Sequence, residues 1–231
     1  MNGPARLAVG GLAVALAGAL AAAILDLPSA AVDLRGAVAM NLSASGVEHP
    51  VTAVLLNFRG YDTLLEIAVL LLALLGMLAV AKPESGGSPP AAADPMLRTL
   101  AGVAVPLMIL AAGYLLWAGA HRPGGAFQAG AVLAAAAVLL HLAGRLPAWA
   151  SPKRMLRLGL AGGFLVFLAV SAILLSEGAL LRYPLEHAGA LILLIEAGLT
   201  LSLGLILAGL FLVLAWHPAS PSESAGEESK S

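Results

Sequence analysis

The residues whose types and spacing best suit chemistry stand at the mouth of an apolar run. Arg59, Asp62 and Glu66 lie within Asn57-Phe58-Arg59-Gly60-Tyr61-Asp62-Thr63-Leu64-Leu65-Glu66, and the apolar segment Ile67 to Ala81 follows directly. On a helix that begins at Asp62, the i, i+4 spacing puts both carboxylates on one face, a turn apart. Asp62 suits the electropositive start of such a helix, and Gly60 frees the backbone for a turn before it. Glu66 already sits inside the apolar segment. An ionisable group there costs about 2.5–3.5 kcal/mol on insertion scales unless a partner or a wet cavity receives it. The three residues are therefore read as one coupled site, with Glu66 the deeper member that exchanges a proton or cation and Arg59 the ionic partner.

Other polar residues within apolar runs extend the set. Glu196 and Thr200 are one turn apart near the start of the last run. They suit an ion pathway or, equally, a hydrogen bond to a neighbouring helix. Histidine ordinarily changes charge near neutral pH, so His141 is a candidate relay as well as an ordinary interface side chain. Between two runs lies His121-Arg122-Pro123-Gly124-Gly125-Ala126-Phe127-Gln128-Ala129-Gly130. Adjacent glycines after a proline permit a tight turn or a close backbone approach. No strand precedes this motif and no Gly-Lys-Ser/Thr follows it, so it is not a phosphate loop.

The elements that must position these residues are membrane helices. Hydrophobic residues make up 60% of the 231 and charged residues 11%, far from the balance of a soluble domain. Apolar runs at 7–25, 62–81, 97–119, 127–144, 158–176 and 189–216 predict an all-α polytopic protein of six spans, two then four. Gly11, Ala15, Ala19 and Ala23 form a small-residue stripe on the first span that favours close helix approach. The rival for that span is a signal peptide cleaved near Ala19-Leu20-Ala21, and the length of the run favours the span. Residues 26–50 form a polar loop with room for a short surface helix. The Pro/Gly/Ser-rich stretch 82–96 is a linker between a module at 1–81 and a module at 97–216, and 217–231 is a Ser/Glu-rich tail.

Six spans put both termini on one side. A cytoplasmic placement puts Arg6, Lys82, Arg98, Arg145, Lys153, Arg154, Arg157 and Lys230 inside and leaves Arg35, Arg59, Arg122 and Arg182 outside, as the positive-inside rule asks. The expected location is the cell (inner) membrane, multi-pass. With no cysteine in the chain, disulfides and thiolate metal sites are excluded. A formal net charge of −1 gives no sign of nucleic-acid binding. No cofactor and no metal site is expected.

The turn motif resembles the signature H-x-P-G-G-G-F-Q-G-G of the MnhB subunit of the Mrp (Mnh) multisubunit sodium/proton antiporters, a module shared with membrane-bound hydrogenases and other relatives of respiratory complex I. The resemblance singles out His121, Pro123, Gly124, Gly125, Phe127 and Gln128. Glu196-Ala197-Gly198-Leu199-Thr200 is similar to the E-x-G-x-x-L-T run of the same module. The block 57–66 resembles D-F-R-G-x-D-T-L-G-E, found in the C-terminal region of the large MnhA subunit or in the separate small hydrogenase subunit matching it. Asn57 stands where an acid is common, Leu65 where glycine is, and Ala126 and Ala129 replace glycines.

The resemblance implies a membrane subunit that helps carry Na⁺ and H⁺ within an assembly of other hydrophobic subunits. It also admits a membrane-arm subunit of a complex I-related hydrogenase, or a scaffold alone. An intramembrane enzyme is disfavoured, since no His-Glu-x-x-His or Gly-x-Ser-x-Gly occurs in the spans.

Overall fold

The computed structural model describes residues 3–26, 34–80, 94–146, 154–176, 178 and 180–215. All of the regular structure among them is helical: α1 (Gly3–Leu25), α2 (Leu34–Asn41), α3 (Pro50–Ala53), α4 (Gly60–Val80), α5 (Pro95–Ala118), α6 (Ala126–Leu142), α7 (Arg154–Ser176) and α8 (Ala188–Ala215). Each expected apolar span is a helix. By length and composition α4, α5, α7 and α8 are able to cross a membrane. At 17 residues, α6 rises about 25 Å, the short end of what a bilayer core demands. The chain is an all-α polytopic membrane protein. Most of the expected linker and the whole expected tail lie outside the described residues.

Residues up to Ala37 form one unit and residues from Val38 a second. In the first, the described side chains of α1 are exposed, Leu12 at 73% and Val14 at 74%. The second is built around α8. Ile195, Leu199, Leu203 and Ile206 are fully buried along it, and Phe167 of α7 and Ile67 of α4 are equally enclosed. Small residues make this close packing possible. A Cβ on Gly163 of α7 would lie 2.6 Å from the Gly198 carbonyl oxygen of α8. The same crossing is tied by Ser202, whose hydroxyl donates to the Leu160 carbonyl at 2.5 Å, a polar link that lipid does not compete for.

Caps and breaks follow from local chemistry. Asp94 accepts from the Met96 N–H at 2.9 Å and Pro95 occupies the first turn, which starts α5 cleanly. The expected polar loop contains α2, a 3₁₀ turn at Leu42–Ser45, then α3, which runs into a π turn at Val54–Phe58. Arg59, at φ −129° and ψ 30°, breaks this segment from α4. Gly60 serves close approach: a Cβ there would lie 2.6 Å from Leu181 Cδ1. Leu181 takes a left-handed φ of 57° and is buried against that position.

Beside it, Tyr183 is buried, and its hydroxyl has no hydrogen-bond partner among the described residues. Burial pushes this phenol above the usual tyrosine range, so it stays protonated at any working pH. Tyr183→Phe removes an unpaired polar atom and keeps the ring. Its expected effect on thermal stability is nil to about 1 kcal/mol of gain. A melting curve of the purified assembly checks this, and a clear loss would reveal a partner for the hydroxyl.

Candidate functional site

The turn between α5 and α6 closes on the carboxylate of Glu196. Glu196 is 5% exposed on α8 and accepts a hydrogen bond from the Ala126 N–H at the first turn of α6. The N-terminal amides of a helix have no intrahelical partner and carry its positive dipole end, so they suit an anionic group. Gly125 brings the backbone close enough. It takes φ +103°, and a Cβ there would sit 2.6 Å from Glu196 Oε1. Gly124 is confined by its own turn, since its Cβ would lie 2.5 Å from the Leu115 carbonyl oxygen. That oxygen already accepts from the Gly125 N–H at 2.8 Å. A Cβ on Gly119 would meet Gly125 Cα at 2.7 Å and Glu196 Oε1 at 3.3 Å. Gly119 and Gly125 thus form a cradle against one buried carboxylate, and Gly124 lets the turn behind them close.

The remaining residues of the turn motif surround this cradle. Phe127 is half-buried against the main core, and Pro123 is exposed. Gln128 Oε1 lies 4.0 Å from the Cβ position of Gly125. His121 is exposed, with Nε2 4.0 Å from a Glu48 carboxylate oxygen. Thr200 is buried and donates to the Glu196 backbone carbonyl at 2.7 Å, so its hydroxyl bonds to the main chain. His141 lies at the far end of α6, where Nδ1 is 3.2 Å from the Leu146 carbonyl oxygen in the segment that follows the helix.

At the other sequence-selected site, Arg59 Nε donates to Asp62 Oδ2 at 2.6 Å, and the guanidinium NH2 group reaches the same oxygen. The pair lies partly in the open, with side chains 66% and 31% exposed. Glu66 points to the outer face of α4 and has no hydrogen bond or ion pair among the described residues. The structure therefore joins Arg59 to Asp62 and leaves Glu66 apart.

Three residues that sequence reasoning did not select for a site connect the two regions. The Asn57 amide donates to the Ser45 carbonyl at 2.9 Å, a bond that a carboxylate at 57 cannot make. Thr52, buried on α3, donates to the Gly119 carbonyl at 2.5 Å. The His49 N–H donates to the Ala120 carbonyl at 3.2 Å. A polar stretch at 41–52 was the available signal, but nothing in its composition points to a partner 67 residues away. No group of three or more potential metal ligands occurs among the described residues.

Fold and cradle together define a helical membrane protein with a buried carboxylate at an interhelical turn. Residues 96–216 match the family described as domain related to MnhB subunit of Na⁺/H⁺ antiporter, and the chain belongs to that family. Among solved structures, a chain of the membrane-bound sulfane sulfur reductase, an archaeal respiratory membrane complex, aligns at TM-score 0.67 and 22% identity. The alignment covers 92% of this chain and 99% of that one. A chain of the Mrp complex from Dietzia sp. DQ12-45-1b aligns at TM-score 0.70 and 21% identity, over 96% of this chain and 27% of that longer one. No curated protein matches the chain.

Proposed function

We propose that the chain is a membrane subunit of a multisubunit cation/proton antiporter of the Mrp type, and that Glu196 is the carboxylate through which it handles Na⁺ or H⁺. The observation that carries this reading is the glycine cradle. A backbone that brings Gly119, Gly125 and the Ala126 N–H against one acidic side chain is built around that side chain. A buried carboxylate held by a fixed amide donor exchanges its proton or cation against a preorganised environment. Residues 1–81 act as the MnhA-like segment fused to the MnhB-like one. The longer Dietzia chain, of which this one spans 27%, fits such a joining.

A second reading, a membrane-arm subunit of a respiratory complex, draws on the near-complete coverage of the reductase chain. The intact assembly purified from native membranes separates the two. The antiporter reading expects Na⁺-dependent proton efflux from everted vesicles without an electron donor. Flux that requires electron transfer, with redox subunits copurifying, would overturn it.

Glu66 takes the second role. It is exposed on an apolar helix face, where a basic side chain of a neighbouring subunit would offset the cost of an isolated charge. Glu66→Gln is expected to lower efflux while the assembly still forms. Unchanged efflux would make it a structural polar group.

A further inference from the structure

We propose that residues 45–52 form a strap that holds the Glu196 cradle closed, with Thr52 its positioning residue. The inference rests on the reading of Glu196 given above and extends it to a segment outside the 96–216 family match.

The strap is fixed at both ends and lies over two of the elements that build the cradle. At one end Asn57 holds the Ser45 carbonyl, and Ser45, fully buried, donates back to the Leu42 carbonyl at 2.6 Å. Gly46 follows with φ +74°. A Cβ there would strike Ala188 Cβ at the first residue of α8, so the strap passes flush against the helix that carries Glu196. At the other end the His49 N–H and the Thr52 hydroxyl take two successive carbonyls of the α5–α6 turn, Ala120 and Gly119.

Gly119 is the residue wedged against both Gly125 Cα and Glu196 Oε1. Its carbonyl is directed at Thr52, which is 5% exposed, so no solvent competes for the bond. If the Thr52 hydroxyl is lost, the Gly119 carbonyl loses its strap partner, and the strap keeps the turn by the single 3.2 Å bond from the His49 N–H to Ala120. The turn then gains freedom to lift from the carboxylate. The charged and titratable groups around the strap and turn are Glu48, His49, His121 and Arg122, with Glu186 and His187 just before α8. Of these, Glu48 and His121 face one another at 4.0 Å.

The test uses the full assembly and a hydrophobic carbodiimide, which labels membrane-buried carboxyl groups. Labelling of Glu196 and Glu66 is followed by mass spectrometry of the same chain, with Glu66 as the internal control. Thr52→Val keeps the shape and removes the donor. It is expected to speed labelling of Glu196 by about fivefold, the factor that one lost buried hydrogen bond of ordinary strength corresponds to. Labelling of Glu66 is expected to stay unchanged. Thr52→Ser keeps the hydroxyl and is expected to behave as wild type.

Equal labelling of Glu196 in the Val variant and wild type would overturn the strap. So would loss of assembly in the Val variant with the Ser variant intact, because the bond would then be structural alone. Glu196→Gln in parallel vesicles separates the two layers. Full efflux there would remove the functional reading, and the labelling rates would still decide the strap.

Discussion

Gly125→Val is expected to abolish cation-dependent proton efflux, and Ala126→Gly to leave it within about twofold of wild type. The contrast follows from what each position touches. Gly125 combines φ +103° with a Cβ direction that ends 2.6 Å from Glu196 Oε1. A backbone at φ 103° and ψ −171° is essentially open to glycine alone and costs a side chain on the order of 1–3 kcal/mol, and forcing extra atoms into a packed site typically adds about 1–3 kcal/mol. The backbone strain is relieved only by moving the turn, and the clash only by moving the turn or swinging the Glu196 carboxylate aside; either movement disturbs the contact between Glu196 and the Ala126 N–H. Gly124→Val is expected to be nearly as harmful, because its Cβ would meet the Leu115 carbonyl oxygen, which is backbone and cannot step aside. Ala126 is only 5% exposed, yet glycine there removes one methyl group and keeps the N–H that Glu196 accepts from. Efflux in everted vesicles, with subunit levels followed by blotting, checks all three. Equal tolerance at 124, 125 and 126 would reduce the motif to an ordinary connection.

Much of the scaffold is legible from sequence because membrane helices write themselves into composition. A long apolar run has no alternative but a helix when lipid offers no hydrogen bonds, and each expected run is one of α1, α4, α5, α6, α7 and α8. The turn motif is also legible, since Pro123, Gly124 and Gly125 fix where the chain reverses. Its partner is not. Glu196 is 71 residues beyond Gly125, and neither hydropathy nor spacing says which face of α8 meets which turn.

Rotation about the helix axis decides such matters, and in an almost uniformly apolar helix the sequence carries little record of it. The same ambiguity affects Glu66. Its spacing from Asp62 suggests a coupled pair, while packing turns it to the open face of α4 and leaves Asp62 to Arg59. Gly60 offers backbone freedom in the sequence, yet in the fold it makes room for Leu181. Thr52 gives no signal at all, because a threonine in a polar loop looks like solvent-facing sequence until the turn it grips is in place.

Glu196→Gln is the other change with a large expected effect, and its basis is local. Glutamine keeps the length, the branching and an oxygen that accepts from the Ala126 N–H, so the cradle retains its occupant and the assembly is expected to form. It loses the negative charge and the ability to take up and release a proton. A positioned acid–base group ordinarily contributes on the order of a hundredfold or more. Glu196→Asp is expected to be intermediate, because shortening by one methylene withdraws the carboxylate from the Ala126 N–H, which cannot follow it. The most direct measurement is Na⁺-dependent proton efflux from everted vesicles carrying the Glu196→Gln assembly, with every subunit quantified in the same membranes. Efflux reduced about a hundredfold at normal subunit levels is the expected result; efflux equal to wild type would contradict a transport role for Glu196.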